Sequence, residues 1–205
     1  NKAWAPWLLE SLHYEKYSEI KKVSKIYIGI FFIISTGVLM VVPELIYILG
    51  GKQYMAAVYC LPPLITSCVF EFIYTMYVNI EFYKKRTMSV AVATIIATIL
   101  NIILNFIFIP MLPEYGYIIA AYTTLVGYAV LFVLHYYLVK FMKMQFVYDI
   151  KYILVVLIIF TTLSFVFNLL YKLYFIRYFI IIFYGIGILY FAYKNKSKVL
   201  EILKR

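Results

Sequence analysis

The chain has 205 residues, of which 66% are hydrophobic, 20% aromatic and only 14% charged, and its mean hydropathy is +0.94. That balance excludes a soluble globular domain, whose surface would become one contiguous apolar patch. The net charge of +10 does not point to nucleic acid, because the Lys and Arg residues fall in short clusters between apolar runs, where they act as topology signals. The expected fold class is all-α, a polytopic helical membrane protein.

Residues 1–25 hold Trp4, Pro6 and Trp7, then Leu9, Leu12, Ile20 and Val23 among Glu10, Glu15, Lys16, Glu19, Lys21 and Lys22. Tryptophans suit the headgroup level, so this segment reads as an interfacial amphipathic run or a solvated cytoplasmic linker. Position 1 is Asn and no secretory leader opens the chain, so the sequence reads as a piece of something longer. Six apolar spans follow, at 26–49, 56–82, 87–110, 117–139, 152–171 and 174–193, each near the roughly 20 residues that cross about 30 Å of hydrocarbon. Only Lys172 and Arg177 interrupt the run that holds the last two. As one helix that run would be about 63 Å long, twice the hydrocarbon thickness, so a hairpin is expected. The first four spans, within 26–140, group as one unit, and 141–205 adds two further spans and a basic tail.

With both ends on the cytoplasmic side, sixteen Lys and Arg residues fall inside, including Lys2, the Lys84 to Arg86 cluster, Lys140, Lys143 and the tail. Only Lys52, Lys172 and Arg177 fall outside, and the positive-inside rule selects that orientation.

Two helices carry polar stripes. In the third span Thr94, Thr98, Asn101 and Asn105 recur at steps of four, three and four, on one face of a helix that is otherwise almost wholly apolar. In the second, Ser67, Glu71, Thr75 and Asn79 are each four apart. Glu71 falls near mid-span, where a charged side chain costs from about 3 to more than 10 kcal/mol, so it is expected to be protonated, paired or in contact with a wet cavity. A coupling or cation site in a transport pathway and a neutral carboxylic acid joining helices are the two readings. Asn79, Thr75, Asn101, Asn105 and Thr98 are the candidate cavity-lining partners.

Pro43 and Glu44, toward the outer end of the first span, suggest a kink with freed carbonyls, either a gate or simple helix geometry. Pro62 and Pro63 suggest an irregular start to the second span. Glu81 reads as an interfacial charge near Lys84 and Lys85, and His135 as a packed residue rather than a relay. Cys60 and Cys68, about 12 Å apart on one helix, are too distant for a disulfide and read as core residues. No Walker loop, GxSxG, HExxH or CxxC occurs, so no catalytic residue, metal or cofactor is assigned and no enzyme is expected.

In their order and spacing, NKAWAPW, VVPELIYILGGKQYMAA, EFYKKRT, NIILNFIFIP and YGYIIAAYTTLVGY resemble the C-terminal half of polysaccharide-biosynthesis flippases of the Wzx type, within the multidrug, oligosaccharidyl-lipid and polysaccharide exporter superfamily. The resemblance covers about residues 1–140. It implies two six-helix lobes working by alternating access in a bacterial inner membrane, with an undecaprenyl-linked oligosaccharide as cargo and protons or sodium as coupling ion. The complementary lobe would be a missing N-terminal part or a second copy. That family's cavity is often cationic, whereas no Lys or Arg lies deep in the first five spans and Arg177 is placed to snorkel at an outer end. The alternatives are a drug or metabolite exporter of the same superfamily, a membrane-embedded polysaccharide polymerase or acyltransferase, and an inactive truncated remnant.

Overall fold

A computed structural model of the chain describes residues 4–194, the side chains of residues 191 and 192 excepted. Lys2 and the basic tail from residue 195, both counted above as topology signals, lie outside the described residues. The helices are α1 (Trp4–His13), α2 (Tyr17–Met40), α3 (Val42–Gly50), α4 (Leu61–Tyr83), α5 (Thr87–Phe108), α6 (Gly116–Phe141), α7 (Ile150–Leu170) and α8 (Tyr174–Lys194). Short 3-10 segments, Lys52–Tyr59 and Pro113–Tyr115, precede α4 and α6. Helices α2, α4, α5, α6 and α7 are long and apolar enough to cross a membrane, and Tyr174–Tyr190 of α8 is a shorter apolar stretch. The chain is therefore an all-α polytopic membrane protein.

Helix boundaries follow from local chemistry. The kink expected at Pro43 is a full break: α2 stops at Val41, and Pro43 sits in the first turn of α3, where a missing N–H costs nothing. Pro62 and Pro63 occupy the first turn of α4 in the same way, after the 3-10 segment. Helices α1, α4 and α6 end alike, with Glu15, Lys85 and Lys143 at φ of 55°, 57° and 56°. In each, the following N–H reaches back five residues, as in Arg86 N to Glu81 O at 2.9 Å and Met144 N to Val139 O at 3.0 Å. This is the left-handed helix stop that glycine usually supplies. All three stops lie at the end of the bundle that carries Lys84 to Arg86, called here the basic end; the turn before α6 marks the far end.

Helix α4 is the hub, packed against α6 most extensively and also against α7, α2 and α1. Helix α1 contributes Leu8 and Leu12 to the core at 0% and 1% exposure, so residues 4–13 are a packed helix rather than a free linker. Helix α5 rests mainly on α6, through buried Ala93 and Ala97 against Leu131. The rest of α5 is bare, with Ile95, Ile99, Ile102 and Phe106 exposed.

Tyrosines join the helices by donating to carbonyls on neighbouring elements: Tyr152 to Lys25 at 3.1 Å, Tyr171 to Leu39 at 2.8 Å, and Tyr184 to Ile33 at 2.7 Å. In an apolar medium each ring supplies packing and its hydroxyl finds a partner, which suits a chain with 23 tyrosines. Gly29 makes room for one of these, since a Cβ there would lie 3.3 Å from the Tyr152 hydroxyl.

Asp149 caps α7 by accepting the Tyr152 N–H at 3.2 Å, and Lys25 Nζ lies 2.6 Å from its other oxygen. The Lys25 contact first, and the Tyr152 N–H second, hold its carboxyl below the ordinary carboxylate range. A depressed folded-state pKa adds stability that is present above the unfolded value and lost as pH falls through the folded one. Unfolding in detergent micelles should therefore be insensitive to this group at neutral pH and weaken below about pH 4. Asp149→Ala is expected to cost about 1 kcal/mol at pH 7, and Asp149→Asn to flatten the acid-range decline while keeping the cap.

Candidate functional site

A cavity of about 280 Å³ opens at mid-depth between α4, α5 and α6, lined by Tyr74, Thr94, Ala97, Thr98, Asn101, Thr124, Gly127, Tyr128 and Leu131. Its α5 wall is the polar seam recognised in the sequence. The seam divides in two: its first three members face the cavity, whereas Asn105 closes onto α6. Thr123 donates to Asn105 Oδ1 at 2.7 Å, and Asn105 Nδ2 donates to Asn101 Oδ1 at 3.0 Å. Thr94 and Thr98 donate to carbonyls one turn back on their own helix, Val90 at 2.9 Å and Thr94 at 2.8 Å. Those bonds leave the hydroxyl lone pairs to accept from a ligand. Gly127 lies on the cavity wall opposite Asn101, where a Cβ would make ordinary contact at 3.8 Å and only a larger side chain would fill the space.

The stripe on α4 meets this cavity only in part. Glu71 is half-buried, and its carboxylate interacts electrostatically with the hydroxyls of Tyr74 and Tyr128 on the cavity wall. Among the described residues it has no ion-pair partner. Thr75 donates to the Phe72 carbonyl of its own helix at 2.9 Å. Asn79 is half-buried, and neither it nor Thr75 is among the residues that line the cavity. A second groove, of about 540 Å³, is lined toward the far end mainly by apolar residues such as Leu104, Phe108, Met111 and Ile119; its character suits acyl chains rather than polar cargo.

Two ionic contacts lie toward opposite ends of the bundle, and both depart from the sequence expectation. At the far end Arg177 is fully buried and grips Glu44 with both terminal nitrogens, at 2.7 and 2.5 Å, while Tyr178 donates to the same carboxylate at 2.6 Å. Arg177 therefore does not snorkel. Burial and bidentate geometry hold it, and Glu44, predicted beside a gating kink, ties α3 to α8. Toward the basic end Glu81 and His135 are both 0% exposed, with Oε1 and Nδ1 2.5 Å apart. Glu81 is thus a core residue rather than an interfacial charge, because α6 covers it. The available signal was an ionisable residue inside each of two apolar helices; nothing in spacing pairs residues 54 apart.

Among the described residues no three His, Cys, Asp or Glu side chains gather where a metal could sit. Cys60 and Cys68 are free thiols. No family model matches the chain, and no curated protein or solved structure matches it either.

Proposed function

We propose that this chain forms one lobe of a membrane transporter that flips lipid-linked oligosaccharide repeat units across a bacterial inner membrane by alternating access. The observation that carries the reading is the mid-depth cavity. Threonine hydroxyls from α5 and α6 and the Asn101 carboxamide, with two tyrosines, face one space inside helices that are otherwise apolar. Interhelical hydrogen bonds in membranes average only about 0.6 kcal/mol, so packing alone gives little reason for such a wall. Hydroxyls, carboxamides and aromatic rings are also the groups that bind sugars. The bare face of α5 beside the cavity is where a second lobe would close the pathway, supplied by another part of the protein or by a second copy. Both chain ends would then be cytoplasmic, and an ion gradient would drive antiport. Surface polysaccharide such as lipopolysaccharide or capsule would be the product served.

Translocation of a fluorescent polyprenyl-diphosphate oligosaccharide in proteoliposomes carrying the protein tests this. Thr98→Leu with Asn101→Leu is expected to lower the rate at least tenfold while the helices stay packed, and Gly127→Leu to do the same by filling the cavity. An unchanged rate in both variants would sink the reading.

One observation favours the drug or metabolite exporter instead. No Lys or Arg lines the cavity, and Glu71 lies close to its two tyrosines, an environment suited to an organic cation. Transport of a quaternary ammonium dye, with no transport of the lipid-linked sugar, would select that alternative.

A further inference from the structure

We propose that the Glu81–His135 pair is a proton-binding site, and that it, rather than Glu71, is the coupling site of the transporter proposed above. The coupling half of this statement rests on that functional reading; the proton-binding half does not.

The geometry is that of a buried hydrogen bond between carboxyl and imidazole, with the second carboxyl oxygen free to change partners. Glu81 Oε1 and His135 Nδ1 are 2.5 Å apart with neither side chain exposed, so a proton between them is withheld from water. The other carboxylate oxygen, Oε2, lies 2.6 Å from Ser89 Oγ in the first turn of α5. Ser89 Oγ also lies 2.6 Å from the Arg86 carbonyl. A hydroxyl has one hydrogen, and a carbonyl can only accept. With Nδ1–H donating to Oε1 throughout, a Ser89 that donates to Arg86 completes its contact with Oε2 only if Oε2 carries a hydrogen, and a Ser89 that donates to Oε2 meets an ionised carboxylate. The cluster thus has hydrogen-bonding arrangements for two protonation states without moving a heavy atom.

Three helices meet there: Glu81 belongs to α4, His135 to α6 and Ser89 to α5. The groups facing the pair are few. From α4 the Tyr74 ring stacks on the imidazole, with centroids 5.3 Å apart and planes 11° apart. From α5 there is Ser89, and from the α4–α5 connection the Arg86 carbonyl. Among the described residues no other Lys, Arg, Asp or Glu forms an ion pair with either member. His135 Nε2 is buried with no hydrogen-bond partner, which suits a neutral ring protonated at Nδ1, because an imidazolium would bury an unsatisfied N–H. Tyr74 also lines the mid-depth cavity, so a single ring touches both the proton site and the proposed cargo site.

The step balances simply. One proton from the aqueous phase binds at Oε2 of Glu81 while Nδ1–H goes on donating to Oε1, and the pair passes from a net charge of −1 to zero as carboxylic acid and neutral imidazole. A buried net charge disfavours close packing, whereas the neutral pair tolerates it. Proton uptake therefore holds α6 and the start of α5 against α4, and release loosens them.

Histidine labelling with 15N tests the site directly, because the chain has two histidines and the other, His13, is exposed. In protein reconstituted in nanodiscs, the His135 resonance is expected to respond to acidification, through protonation of the carboxyl it donates to. Protein taken through the same acidification should take up one proton more than Glu81→Gln does. In Glu81→Gln the His135 resonance should lose that response. Glu81→Asp should restore it, which separates a proton site from a merely structural contact. If Glu81→Gln does not fold, Glu81→Met serves for the proton count. In proteoliposomes, Glu81→Gln should lose at least tenfold of the acceleration by a pH gradient, and Glu71→Gln should retain that acceleration. A His135 resonance indifferent to pH in the wild type, or equal proton uptake in the variants, overturns the proton site. Uptake that responds as described, without transport of any cargo, leaves the site standing and removes the transporter reading. Transport coupled to the gradient in Glu81→Gln but not in Glu71→Gln returns the coupling role to Glu71.

Discussion

Glu44→Leu is expected to destabilise the bundle by about 3–5 kcal/mol, because it strands the Arg177 guanidinium without a counter-charge in a fully buried position. The pair is asymmetric. Arg177 has 0% of its side chain exposed and Glu44 has 31%, so Arg177→Met leaves a carboxylate that still reaches solvent and should cost distinctly less. Arg177 Nε is already without a partner, and once Glu44 is lost the neutral Met40 carbonyl, 3.3 Å from Nη1, is the acceptor that remains. Tyr174 and Tyr178 flank the guanidinium at 5.9 and 5.0 Å and offer only cation–π attraction in its place. Replacing both residues, Glu44→Leu with Arg177→Met, should recover most of the loss, since apolar pairs of similar volume often match buried ion pairs. Equilibrium unfolding in bicelles measures all three. Equal costs for the two single variants would contradict the asymmetry, and a neutral Glu44→Leu would show that α3 and α8 are not held by this contact.

Phe160→Ala is expected to cost about 3 kcal/mol, at the lower end of the range for such truncations. Phe160 on α7 is 0% exposed and meets Phe32 of α2 edge-on, with ring centroids 5.6 Å apart at 75°. In water the penalty would include lost hydrophobic transfer as well as the cavity left behind. In lipid a separated helix still has apolar surroundings, so the cavity and the lost dispersion contacts dominate. Phe160→Leu should cost less than about 1.5 kcal/mol, because most of the volume is retained. The same bicelle unfolding reads both, and a loss below about 1 kcal/mol for Phe160→Ala would mean that the α2–α7 seam repacks around the gap.

These two sites differ in how they could be read in advance. Phe160 lies in an apolar span, and some aromatic residue there was bound to pack. Glu44 was singled out beside Pro43, but its partner stands 133 residues later, and a lone Arg between two apolar runs looked like a snorkelling end charge. Thr98 and Asn101 were legible as a seam because helical periodicity places them on one face. Tyr74, Thr124, Gly127 and Tyr128 complete the cavity; the last three stand at helical spacing on one face of α6, but spacing does not say which neighbour that face meets.

Composition and periodicity alone determined that the chain is helical, that it resides in a membrane and about where α4 to α8 run, because burying backbone polar groups in hydrocarbon leaves few alternatives to helices of about that length. They also marked one wall of the cavity. The span expected at 26–49 is instead α2, Tyr17–Met40, and the separate α3, Val42–Gly50. Which faces meet was decided only in three dimensions. Helix α4 sits at the hub, so Glu81 is enclosed by His135 and Ser89 instead of lying at an interface, and Arg177 closes on Glu44. Pairing of this kind depends on the rotation and neighbours of each helix, and an apolar sequence, with lipid as good a solvent as another helix, says little about either.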